Sequence, residues 1–209
     1  MNRQATVAVA FAALVASAGC LGVLTGEDLS FSASEATVGD DALAETDYEE
    51  VGVESSEVTR EFSAAGQSRN VTVTNQLAMY ERTISVAGLA EQRAAVFSAF
   101  ASPQVSVLGQ TFNPIDDYSN KELAELAQEQ YDGLSIGSEV DTRTVTVLNE
   151  SADVSKFEGT ATLNGQDVDV YVHVTKVKHD GDFVVAVAIH PRQLEEQDRV
   201  DALLEGVEH

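Results

Sequence analysis

The sequence has little cysteine and little basic charge, and both shortages exclude classes of protein. One Cys in 209 residues rules out an intrachain disulfide and a cysteine-rich zinc site. Only 12 Lys and Arg stand against 35 Asp and Glu, a formal net charge of −23, whereas binding to a phosphate backbone needs a basic surface. We therefore expect no nucleic-acid partner. Phosphate-loop and dinucleotide-binding motifs are missing as well, so we expect no cofactor and no bound metal.

The first 24 residues differ from the rest, because Arg3 is their only charged side chain. An apolar run from Val7 to Ala16 is followed by small residues and then by Cys20, as in an export signal. In one interpretation the leader resembles a lipoprotein signal, with Ser17 where that motif usually has Leu, Val or Ile, and Cys20 carries a lipid. In a second, an ordinary signal peptidase cuts after Ala18 and the protein is secreted. In a third, the run stays as a short membrane anchor. We favour lipidation, because the only Cys falls where lipidation needs it.

The start Cys20-Leu21-Gly22, the acidic stretch after it and the later segment Asn113-Pro114-Ile115 resemble a family of small haloarchaeal lipoproteins with a domain of unknown function. The resemblance covers residues 20 to 209. It implies a place on the outer face of the cytoplasmic membrane of a salt-loving archaeon, held there through the lipid on Cys20. It implies no enzymatic activity.

The chain is predicted to contain three parts: a signal peptide at 1–19, a lipid-attached acidic tether at 20–47 and one α+β domain at 48–209. The tether includes a short helix near Asp40–Thr46. In the domain, period-two runs at 57–62 and 69–84 predict a long hairpin, whereas 94–101 fits a strand or a helix. A capping box, Ser119 with Glu122, predicts a helix over about 119–132.

Four strands joined by hairpins are predicted after that helix, at 143–148, 154–163, 167–178 and 183–190. Asn164-Gly165 and Asp180-Gly181 are the residues that two-residue hairpin turns require. Pro191 fits the first position of a last helix, over about 192–206. Together these elements predict an antiparallel sheet with helices. Their order is similar to the sandwich shared by the photosystem extrinsic P protein and the Mog1 protein.

Alternation along 167–174 places four Val on one face of a strand and Asp169, Tyr171 and His173 on the other. A His beside a carboxylate is able to act as a base or a ligand, so these three form the candidate polar-face site. Gly133 to Gly137 matches the G-x-S-x-G pattern of hydrolases, but here a helix precedes it and a strand follows, the reverse of what that motif needs. Asn70 and Asn149 stand in N-glycosylation patterns.

Two functions remain open from the sequence. The favoured one is a membrane-tethered, non-catalytic module that binds a protein partner or stabilises the envelope. The alternative is a small-ligand-binding or hydrolytic protein that uses the polar face around Asp169, Tyr171 and His173. A filled sheet would favour the first, and a deep cavity lined by those residues would favour the second.

The acidic residues are spread through every segment, which predicts that folding depends on salt. Repulsion between carboxylates acts over a Debye length of about 30 Å at 0.01 M salt and about 3 Å at 1 M. We expect the lipid-free protein to melt cooperatively in multimolar KCl and at a much lower temperature, or without cooperativity, in dilute neutral buffer. Moderate acid should partly replace salt by protonating carboxylates. Circular dichroism melts across a salt series measure this, and equal melting temperatures would contradict it.

Overall fold

A computed structural model gives the structure of the chain, and it describes residues 28–64, 67–84, 92–107, 110–131, 133–163 and 165–209. Strands dominate it. They are β1 (Leu29–Ser32), β2 (Thr37–Val38), β3 (Glu49–Ala64), β4 (Gln67–Ile84), β5 (Gln92–Pro103), β6 (Val105–Val107), β7 (Gln110–Phe112), β8 (Leu134–Val147), β9 (Glu150–Leu163), β10 (Gln166–His179), β11 (Asp182–Pro191) and β12 (Val207–Glu208). The helices are α1 (Asp40–Thr46), α2 (Pro114–Asp117), α3 (Asn120–Gln130) and α4 (Gln197–Glu205).

The main sheet has eight strands, seven of them in the order β1-β4-β5-β11-β10-β9-β8, and the eighth, β3, also pairs with β4. The α+β class is confirmed, but the sheet is mixed rather than purely antiparallel, because β1 runs parallel to β4 with Leu29 beside Val71. Two short helices, α1 and α2, precede the two longer ones, α3 and α4, along the chain. The candidate strand or helix at 94–101 is part of strand β5.

The folded part of the chain begins before residue 48, where the sequence placed the end of a tether. β1 pairs with β4, and β2 pairs with β12 through Val38 and Val207. Helix α1 follows β2 in the sequence and precedes β3, and it covers the residues predicted for it. Leu29 and Val38 are buried, so apolar side chains that looked isolated in an acidic stretch are what hold it against the domain.

Strand β11 lies in the middle of the sheet, between β5 and β10, and every residue from Asp182 to His190 is buried. Its side chains alternate between two cores. Val185 and Val187 face the side that carries α3, whereas Val184 and Ala186 face the side that carries α1 and α4. A strand that is apolar on both faces needs cover on both faces, and this requirement produces the three layers.

The last helix begins at Gln197, not near residue 192, because Pro191 is the final residue of β11. Pro191 lies opposite Val170, and the next N–H, of Arg192, donates to the carbonyl of Asp169. Backbone N–H groups alternate in direction along a strand, so the nitrogen of Pro191 points toward the β5 side. Pairing with β5 has already ended at Ile189, so the missing donor leaves no ladder position empty.

The tight turns agree with the turn residues in the sequence. Asp180 and Gly181 have φ of 46° and 93°, as a type I′ turn requires. Gly165 also has positive φ, and Leu163 pairs with Gln166 across that hairpin, while Asn164 lies outside the described residues. A further such turn, Leu148-Asn149, joins β8 to β9, with φ of 51° and 64°.

Candidate functional site

The three residues of the predicted polar-face site do not converge. Asp169 is exposed, Tyr171 is half-buried under the side chains of Lys156 and Arg192, and His173 is only 1% exposed. The alternation predicted for β10 is correct, since Val170, Val172 and Val174 face the α3 side. The opposite face is covered as well, because α4 packs over it.

Around His173 a chain of hydrogen bonds fixes the position of every ring proton. Arg143 Nη1 lies 3.0 Å from His173 Nδ1, and a guanidinium only donates, so this nitrogen accepts. The proton of His173 is therefore on Nε2, which lies 3.0 Å from Nε2 of His190. His190 in turn carries its proton on Nδ1, which donates to the carbonyl of Pro191 at 3.0 Å. Both rings are neutral and fully partnered.

Ion pairs attach α4 to the sheet beside the two histidines. Arg143 Nε on β8 lies 2.8 Å from Oδ1 of Asp201, and the same carboxylate also receives Nη2. Arg82 on β4 forms a bidentate ion pair with Glu196, whose side chain is 2% exposed. Arg199 adds a longer contact to Glu196. Burying these charges is tolerated because each has an opposite partner at hydrogen-bond distance.

The pKa values on this face follow from burial. Burial first, and the nearby Arg143 second, lower the pKa of His173 to about 2. Burial also lowers the pKa of His190, and it raises that of the Tyr48 hydroxyl, next to Glu196. A general base needs a free lone pair within reach of a substrate. His173 has none, because both of its ring nitrogens are hydrogen-bonded to other side chains of the protein.

The other sequence candidates are spread over the surface. Ser135 is exposed in β8 directly after α3, so strand follows helix and no nucleophile elbow forms. Asn70 is exposed on β4, and Asn149 is exposed in the turn between β8 and β9. Cys20 and the leader lie outside the described residues. Within the described part of the chain, no three His, Cys, Asp or Glu are grouped to hold a metal ion, and no helix is long and apolar enough to cross a membrane.

The face that carries α3 contains a cleft of about 550 Å³, called the open cleft below. It exists because α3 packs mainly on β8, β9 and β10, and meets the side chains of β4 and β5 only across a gap. The apolar side chains of its floor and wall are Leu77, Met79, Phe100, Val185, Val187, Ile115, Leu123, Leu126 and Ala127. Its polar lining residues are Ser56, Asn75, Gln76, Ser98, Gln130 and Tyr131.

The wall of the open cleft is held in place by polar contacts at the start of α3. The capping box is confirmed: Ser119 accepts from the N–H of Glu122, whose carboxylate accepts from the N–H of Ser119. One step earlier, Asn113 caps α2 and donates to the carbonyl of Pro103 at 2.9 Å. Lys176 Nζ, on the sheet, donates to three carbonyls at the end of α2, at 2.7 to 2.9 Å. These bonds fix the α2–α3 segment over the sheet.

The lining of the open cleft contains no charged side chain, although 22% of the residues in the chain are charged. Asn75 Oδ1 is buried in this lining and has no hydrogen-bond partner among the described residues. The sequence analysis found Leu77, Met79 and Phe100 only as period-two side chains facing a core. Alternation reports which side chains share a face, and it carries no signal for how far a helix extends across that face.

The comparisons with known proteins give a family. A family model described as a domain of unknown function, DUF6517, matches residues 35–208, which is most of the chain. The chain belongs to this family. The DUF6517 match takes in α1, every strand from β3 to β11, and α4, so both the open cleft and the charged face under α4 lie within it. No curated protein and no solved structure matches the chain, and the likeness to the Mog1-type sandwich stays a prediction.

The two histidines predict a loss of stability in mild acid. Their pKa values are lowered in the folded protein. Below about pH 6.5 the two histidines therefore bind protons in the unfolded chain but remain neutral in the native protein. The free energy of unfolding should not depend on these histidines above about pH 7. It should fall below about pH 6.5 by up to about 1.4 kcal/mol per pH unit for each His. Guanidinium chloride unfolding between pH 8 and 5.5 measures this, at an ionic strength that screens carboxylate repulsion.

His173→Gln is the matched variant for this measurement, because Gln is able to accept from Arg143 but does not titrate. We expect lower stability at pH 8 and a smaller pH slope than in the wild type. Equal slopes in the two proteins would contradict the assignment.

Proposed function

We propose that this protein is a lipid-anchored, extracytoplasmic, non-catalytic binding module, and that its binding surface is the open cleft. The observation that carries the proposal is an apolar, charge-free concavity on a chain with a net charge of −23. Half-buried Leu77, Met79 and Phe100 form its floor, and Leu126 is 40% exposed at its rim. Apolar surface of this extent on a strongly solvated protein is typical of a binding site.

The anchoring part of the proposal rests on the leader and on Cys20. The apolar run ends at the only Cys of the chain, where a lipoprotein signal has its modified residue. The acidic composition suits a surface that must stay hydrated in concentrated salt. Both features agree with the resemblance to haloarchaeal lipoproteins. A secreted protein, released by cleavage after Ala18, is the alternative.

The alternative function, ligand binding or hydrolysis at the polar face, receives less support. His173 is buried and both of its ring nitrogens are hydrogen-bonded, while Asp169 points into solvent. A substrate at this face would have to displace α4 and separate the Arg143–Asp201 ion pair. Separating this partly buried pair would leave two charges without partners beneath a displaced helix, which opposes the use of this face as an entrance.

Anchoring is tested by replacing the modified residue. Cys20→Ser should move the protein from the membrane fraction to the soluble or secreted fraction, or leave it as an uncleaved precursor. It should also abolish the lipid mass on the N-terminal peptide. Fractionation at native salt and mass spectrometry of that peptide measure both. A Ser variant that remains mature and as firmly bound as the wild type would reject lipid anchoring.

Binding at the open cleft is tested by carbene footprinting of the wild-type protein in its own membranes. Leu126 at the cleft and Val140 on β8 are matched reporters, because they are exposed to 40% and 47%. We expect labelling of Leu126 to be several-fold lower in membranes than in purified, washed protein, and labelling of Val140 to be unchanged. Equal labelling of Leu126 in both samples would show that nothing occupies the open cleft.

A further inference from the structure

We propose that the open cleft binds an uncharged, mainly apolar small molecule that donates a hydrogen bond to Asn75 Oδ1. This inference rests on the proposed binding function and names the chemical class of its ligand. Three observations support it: the absence of charged side chains from the lining, the amide oxygen of Asn75 without a hydrogen-bond partner in the described part of the chain, and the size of the cleft.

The lining excludes charged ligands. An anion entering the open cleft finds no Lys, Arg or His in the lining to compensate its charge. A cation finds no carboxylate in the lining to replace its water. Neither sign of charge would be compensated after burial. The floor made by Leu77, Met79 and Phe100 instead favours an apolar body.

The amide of Asn75 supplies the polar requirement. Its Oδ1 is buried without a hydrogen-bond partner among the described residues, whereas the neighbouring Gln76 Oε1 accepts from Ser55 at 2.6 Å. A buried acceptor without a partner destabilises the folded protein, and a rotation of the Asn75 amide toward the open cleft lets a ligand N–H or O–H remove that penalty. The orientation of the ligand is therefore set by one donor, with the apolar body lying toward Phe100 and Leu126.

The size of the open cleft selects a small molecule over a second protein chain. Its volume of about 550 Å³ lies within the range of small-molecule sites, roughly 300–1,000 Å³. A second copy of this chain would bring its own large negative charge to the contact. A compact, uncharged molecule fits the gap between α3 and β4–β5 and brings no negative charge to it.

The test uses N-phenyl-1-naphthylamine, an uncharged two-part aromatic molecule with a single N–H whose fluorescence rises in apolar surroundings. Titration into the full-length protein in molar KCl should give saturable binding with one site. Leu126→Glu should weaken it about tenfold or more, because a carboxylate at the rim must be desolvated. The matched control Val140→Glu makes the same change at a similarly exposed residue away from the cleft, and should bind like the wild type.

Two comparisons test the chemistry of recognition. The sulfonated analogue 8-anilinonaphthalene-1-sulfonate should bind at least about tenfold more weakly than the uncharged probe. Asn75→Leu should weaken the uncharged probe by about three- to tenfold and leave an N-methylated analogue, which has no donor, unaffected. Chemical denaturation of each variant checks that it is folded.

The outcomes separate this inference from the proposed function. Unsaturable binding, equal effects of Leu126→Glu and Val140→Glu, or tight binding of the sulfonate would overturn the ligand class. If Leu126 is nevertheless protected in membranes, the binding function stands with a different occupant. If Leu126 is unprotected in membranes but the uncharged probe binds as described, the ligand chemistry stands and occupancy in the membrane does not.

Discussion

The whole architecture depends on one constraint, which is that β11 is apolar on both faces and has to be covered on both. Its neighbours β5 and β10 satisfy the backbone, but only elements above and below are able to bury Val184 and Val185 together. The two covers are unequal. On one face α1 and α4 close over the sheet, and on the other α3, with 11 residues, reaches across only part of it. The open cleft is the remainder of the second face.

The face of the sheet that α1 and α4 cover shows how an acidic chain uses its few basic residues. Arg82 on β4 binds Glu196 just before α4 and Arg143 on β8 binds Asp201 in the middle of α4, and the ring of His173 binds both Arg143 and His190. Ion pairs of this kind add little net stability when buried, but they define position, because a displaced helix leaves charges without partners. Most carboxylates of the described residues lie on the surface. The excess of acidic residues and the fixed position of α4 therefore depend on different carboxylates.

Local signals predicted much of the fold, because they report local physics. The capping box at Ser119, the turn at Asp180-Gly181 and the alternation along β10 each depend on a few neighbouring residues, and all are present. The sequence could not show that β1 would pair with β4, or that His173 would lie beneath a helix, because both depend on partners far along the chain. The polar alternation along β10 has the same limit, because it resembles solvent exposure until the helix that covers His173 is known. Asn75 carried no signal at all, since its importance lies in a missing partner.

The beginning and the end of the described chain close on each other. β2 pairs with β12, Gly39 donates to the carbonyl of Gly206, and Asp182 contacts both the backbone of Ser34 and the ring of His209. Strand β1 finds its partner in β4, but β2 has its strand partner, β12, only in the last residues of the sequence. During synthesis, these contacts cannot form until β12 has left the ribosome, and contacts so distant along the chain form slowly. The order in which the chain is made thus delays the pairing of β2 until nearly the whole domain has been synthesised.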